Sequence, residues 1–80
     1  MPTENYPTAK SRARNWYTDP AEFRQLCGDA QSQARTEWDH EFSAEMMLAC
    51  NEYGLDTYVS PPQMKQLCRI ADHDEPAFKP

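Results

Sequence analysis

Eighty residues can form one domain at most, and a chain of that size buries only about 60% of its unfolded surface, so one thin core must hold it together. The net charge is −5, with the acids concentrated in the middle: residues 1–18 sum to +2, residues 19–56 to −7 and residues 57–80 to zero. An acidic body argues against a protein that tracks phosphates, two glycines leave no phosphate loop, and with neither a leader pattern nor an apolar run of roughly 18 residues the expected compartment is the cytoplasm.

Residues 1–15 read as a flexible basic arm, because Met1 to Thr8 carries two prolines and little apolar pattern before Lys10, Arg12 and Arg14. Trp16 and Tyr17 adjoin these bases, a combination that can grip phosphates and stack on bases as single-strand binders do. The plainer alternative packs both rings on the helices and lets the bases offset the acidic body. A first helix is predicted from Asp19-Pro20-Ala21-Glu22, with Asp19 as cap, Pro20 at the first helical position and Glu22 at the capping-box position. Phe23, Leu26, Cys27 and Ala30 then recur on one face. Gly28 is expected to weaken or kink this helix.

A second, longer helix starts between Asp29 and Thr36 and runs to Tyr53, where Gly54 suits a left-handed C′ residue and Leu55 the apolar contact of a Schellman cap. At 100° per residue from Glu37, the residues Trp38, Phe42, Met46, Ala49, Cys50 and Tyr53 fill an arc of about 100° to 220°, the predicted core face. Glu37, Glu41, Glu45 and Glu52 form a stripe at about 0° to 80° beside it, with Asp56 nearby. Asp39 falls inside the apolar arc, which fits a first-turn position where the helix dipole favours an anion. The third helix has the strongest start: Ser60 caps, Pro61 opens, Gln63 completes a capping box and Val59 faces Met64 as a hydrophobic staple. Met64, Leu67, Cys68 and Ala71 continue its apolar face until Asp72, and residues 73–80 read as a short acidic tail. The expected fold is therefore all-α, a small three-helix domain over residues 16–72 with helices near 20–30, 32–53 and 61–72.

Cys27, Cys50 and Cys68 sit at apolar helical positions and read as small core residues, lacking the spacing of zinc ligands. His40 lies off the predicted core arc and reads as a solvated surface histidine, while His73 lies among Asp72, Asp74 and Glu75 in the tail, a cluster that could bind a metal only loosely without a rigid frame and reads as a solvated terminus. The chain thus reads as a non-enzyme, with no catalytic residues, no metal site and no cofactor.

The elements Trp38-x3-Phe42, Tyr53-Gly54, Ser60-x2-Gln63 and Leu67-x2-Ile70-Ala71 give residues 36–71 a pattern that resembles small phage and prophage proteins. In that group a Trp/Phe helix leads through a glycine turn into a helix opening Ser-x-Lys-Gln and closing Leu-x2-Ile; Pro62 stands here where the group usually has lysine. The pattern is also similar to the C-terminal helical tail of some phage replication and recombination proteins. The resemblance implies a mobile-element origin, no enzymatic residues, and binding to host machinery such as a CRISPR complex or RNA polymerase. On this reading Glu37, Glu41, Glu45, Glu52 and Asp56 present spaced negative charge to a basic surface of a host protein, which is inhibited or redirected. Two other functions fit the sequence. Lys10, Arg12, Arg14, Trp16 and Tyr17 could contact nucleic acid directly, the less favoured partner, and an adaptable apolar surface of Met46, Met47, Leu48 and Met64 could build a homodimer or larger oligomer or receive a partner helix. A membrane is not an expected partner.

Overall fold

The computed structural model describes residues 11–79. The described residues are all-α, with three helices, α1 (Pro20–Gln33), α2 (Glu37–Tyr53) and α3 (Pro61–Ala71), and two short 3-10 turns, Ala13–Asn15 and Gly54–Asp56. No helix is long and apolar enough to cross a membrane among these residues. Lys10 and the rest of residues 1–10, the larger part of the expected arm, lie outside the described residues.

Local chemistry sets each helix start. Asp19 accepts the Ala21 amide at 3.0 Å and Pro20 opens α1, while Glu22 stays exposed and does not complete a capping box. Thr36 Oγ1 accepts the Asp39 amide at 3.0 Å, fixing the start of α2. At α3 the capping box is complete: Ser60 Oγ accepts the Gln63 amide at 3.2 Å and Gln63 Oε1 accepts the Ser60 amide at 2.9 Å. Val59 and Met64, the two ends of the staple, are both fully buried. α1 does not break at Gly28; it continues to Gln33, because that glycine faces α2 at the Met47 methyl and lies within a packed interface.

α1 is the central helix and packs against both α2 and α3. Its Phe23, Leu26, Cys27 and Ala30 meet Met64, Leu67, Cys68, Ile70 and Ala71 of α3 and Met46 and Cys50 of α2 in one core. α1 comes close enough to α2 for Cys27 Sγ to lie 3.9 Å from the Met46 carbonyl oxygen. That approach requires small residues, and it corrects the predicted core face of α2. The buried residues are Asp39, Ser43, Met46 and Cys50, whereas Trp38 and Tyr53 are 55% and 58% exposed. By the 100° rule the buried face is centred near about 210°, roughly 50° from the centre of the predicted arc. Phe42 keeps only partial cover.

Two polar residues occupy that buried face. Asp39 lies in the first turn, as the dipole argument requires, and Arg69 of α3 donates to its carboxylate at 3.2 Å. Ser43 is fully buried and its hydroxyl has no hydrogen-bond partner among the described residues. An unsatisfied buried hydroxyl is unfavourable and serine is a weaker helix former than alanine, so Ser43→Ala should stabilise the fold by about 1 kcal/mol. Urea denaturation measures this; a loss of stability would show that the hydroxyl has a partner.

Both ends of the described chain join the body. Ser11 to Ala13 pair with Thr57 to Val59: the Ala13 amide donates to Thr57 O at 2.9 Å, the Val59 amide to Ser11 O at 3.1 Å and Ser11 Oγ to Val59 O at 2.6 Å. Ala13 is fully buried, so from Ser11 onward the expected arm is part of the packed domain. The expected tail folds back as well. Asp72 takes a left-handed conformation (φ 60°), the His73 amide closes α3 on Cys68 O at 3.0 Å, and His73 Nε2 lies 2.7 Å from Asp29. Further along, Phe78 meets Trp16 edge to face at 5.0 Å between ring centres, and Lys79 exchanges hydrogen bonds with Asn15 through its main-chain amide and carbonyl.

The three cysteines are free and buried, as their apolar spacing predicts. Loss of water around the charged form pushes the Cys68 thiol up to about 11 and the Tyr17 phenol up to about 12, and burial beside Cys50 raises Cys27 further. These groups are neutral in the folded state with pKa values above the ordinary 9.0 and 10.0. Their contribution to stability is therefore complete below about pH 9 and is lost as pH rises through the folded values. The melting temperature should fall between about pH 9 and 12; a flat profile there would show the groups to be wet.

Candidate functional site

The four glutamates of the predicted stripe are all exposed on α2 and share one face. Because the core face is rotated, they lie about 165° from its centre by the 100° rule, on the far side of the helix rather than beside the core. None of Glu37, Glu41, Glu45 or Glu52 makes an ion pair among the described residues, whose salt bridges involve Asp29, Asp39 and Asp56. From Thr36 to Met64 the sequence contains no lysine or arginine. The row brings α2 little net stability: Glu37 in the first turn is favoured by the helix dipole, and the rest of the row opposes the helix. Glu37–Glu41 and Glu41–Glu45 are like charges at i,i+4, each unfavourable by about 0.2–0.5 kcal/mol, and Glu52 lies in a last turn without a base, against the helix dipole.

Asp56 does not join this row. It sits in the 3-10 turn after α2, where Arg14 forms an ion pair with it and Arg12 approaches at 3.6 Å. Arg12 also donates to the Tyr58 hydroxyl at 2.9 Å and stacks 4.8 Å from that ring's centre. The two arginines are thus engaged with the body. Trp16 is 7% exposed beneath Phe78, and Tyr17 is half-buried against Phe23, 6.1 Å between ring centres. A basic, aromatic contact strip over residues 10–17 therefore presents little ring surface in its described part.

Sequence reasoning missed an aromatic strip. Trp38 and Phe42 stack with ring centres 5.0 Å apart and planes 13° from parallel, and Tyr53 extends the same flank of α2 three turns on. Leu48 is 68% exposed beside the glutamates. The polar identities of Asp39 and Ser43 hid this arrangement, because hydrophobicity alone assigns the rings to the core.

Hollows also lie elsewhere among the described residues. One of about 310 Å³ is lined by Arg35, Arg69, Asp39 and Asp72, balanced in charge, and one of about 530 Å³ lies between α1 and the folded-back tail beside Tyr17, Glu22 and His73. His40 is exposed on α2, and His73 with Asp29 pins the tail. Among the described residues no three His, Cys, Asp or Glu side chains converge as metal ligands. Compared with known protein families, curated proteins and solved structures, the chain matches none.

Proposed function

We propose that this protein acts by binding: α2 docks its outward glutamate row on a basic surface of a host protein that handles nucleic acid, and so inhibits or redirects it. The observation that carries the reading is the row itself, four exposed acids on one helix face with no basic partner among the described residues and with like charges repelling at the Glu37–Glu41 and Glu41–Glu45 spacings. Such a field speeds encounter with a positive surface and occupies the place of phosphates there. The phage-like pattern over residues 36–71 supports a host partner. The engagement of Arg12, Arg14 and Trp16 with the body favours this reading over direct nucleic-acid contact.

The test compares the full chain with the triple variant Glu37→Lys, Glu41→Lys, Glu45→Lys, immobilised and exposed to bacterial lysate at low and high salt. All three side chains are exposed, so the variant should keep its helical content. The wild type should retain basic nucleic-acid-handling proteins that salt or added DNA and RNA release, and the variant should lose them by at least about tenfold, the salt-sensitive share of the affinity. Equal retention by both sinks the proposal.

A further inference from the structure

We infer that the outer face of α2 receives a one-sided basic amphipathic helix of a partner protein, whose apolar residues cover the Trp38, Phe42 and Tyr53 rings while lysines or arginines along one flank meet the glutamates. This rests on the reading that the glutamate row is a docking surface, and adds the apolar half of the recognition. Large apolar side chains left wet on a small domain, where core is scarce, mark an interaction surface. Trp38 and Tyr53 are more than half exposed, while Phe23 and Leu67 of similar character are fully buried. The Trp38–Phe42 stack is also preformed, so its rings lose little freedom on binding.

Geometry and charge select the occupant. Trp38 and Tyr53 stand fifteen residues apart, roughly 22 Å along the helix axis, the reach of about four turns of a partner helix. The rings occupy about 100° to 160° of α2 and the glutamates about 0° to 80°, so acids border the rings on one side only; the other side turns into the core. A complementary helix therefore carries its bases on a single flank. A second copy of α2 offers no lysine or arginine and would set glutamates against glutamates. Phosphate backbones and anionic lipid headgroups are repelled by the same charges.

The probe is a synthetic four-turn peptide with leucines along one face and lysines along one flank, titrated against the full chain at low and high salt. A scrambled peptide of identical composition, equal in charge but without a face, is the control. Trp16 is already buried, so a blue shift of tryptophan emission reports cover over Trp38. The amphipathic peptide should bind about tenfold more tightly than the scramble, and Trp38→Ala with Tyr53→Ala should remove that margin while leaving the weak, salt-sensitive binding of the scramble unchanged, read by anisotropy of labelled peptide. Equal affinity for the two peptides, or ring variants that bind like wild type, overturns the inference and leaves the glutamate row standing. Failure of both peptides to bind at low salt overturns the inference together with the reading it rests on. Self-association abolished by Trp38→Ala, or binding to anionic vesicles, assigns the strip to another occupant and overturns it as well.

Discussion

Phe23→Ala should remove about 3–5 kcal/mol, the loss typical of a phenylalanine deleted from a closed core. An eighty-residue domain at about 0.05–0.15 kcal/mol per residue holds roughly 4–12 kcal/mol in total, so this one change takes most of the stability at the lower end. Phe23 is fully buried, faces Tyr17 and lies on the central helix, which packs against both flanking helices. Trp38→Ala deletes a larger ring and should cost only about 1 kcal/mol, mainly the stack on Phe42, because the indole is more than half exposed. Urea denaturation followed by circular dichroism measures both. If the two substitutions proved equally costly, Trp38 would belong to the core and the glutamate row would return to the side of α2 nearest it.

The helix starts at Asp19 and Ser60 are the most legible features of this chain, because capping is local chemistry. Ser60 and Gln63 act within four residues, and nothing distant can easily override them, whereas Thr36, which caps α2 by the same chemistry, is not distinguished in the sequence from the other positions between Asp29 and Thr36. α3 was legible in full, since its apolar spacing and its buried face coincide. α2 is legible at its end, Tyr53, but it starts at Glu37 rather than near residue 32, because α1 continues to Gln33, and its rotation differs from the predicted one. Its burial is set by how closely α1 approaches, which selects Ser43 and Cys50 for their size, and by Arg69, which makes a buried Asp39 tolerable. Gly54 shows the same limit on a smaller scale: its positive φ of 59° follows from its type, while its ψ of −130° is not the left-handed helical value a Schellman cap needs. At α3 it is Asp72 that adopts the left-handed conformation, a role that glycine fills most often and asparagine or aspartate only occasionally. Of the proposed site, the four glutamates could be found from spacing; the exposed rings and the capture of Asp56 by Arg12 and Arg14 could not, because each depends on contacts across the fold.

Removing residues 74–80 should destabilise the domain by about 2 kcal/mol, although by composition they read as a solvated tail whose loss changes stability by no more than about 0.5 kcal/mol. The difference comes from the far end of the segment. Phe78 covers Trp16 edge to face, a pairing of about 0.5–1.5 kcal/mol beyond the area it buries, and Asn15 and Lys79 exchange two hydrogen bonds of about 1 kcal/mol each before the entropy of ordering the segment is subtracted. Cutting after His73 preserves the main-chain closure of α3 and the His73–Asp29 contact, so the measured loss belongs to Phe78 and Lys79. It also moves a carboxylate near the end of α3, where the helix dipole disfavours it. Phe78→Ala in the full chain avoids that charge and should reproduce about half of the loss. In both variants tryptophan emission should shift to the red as Trp16 is uncovered, and an unchanged spectrum with unchanged stability would show that the segment does not rest on the domain in solution.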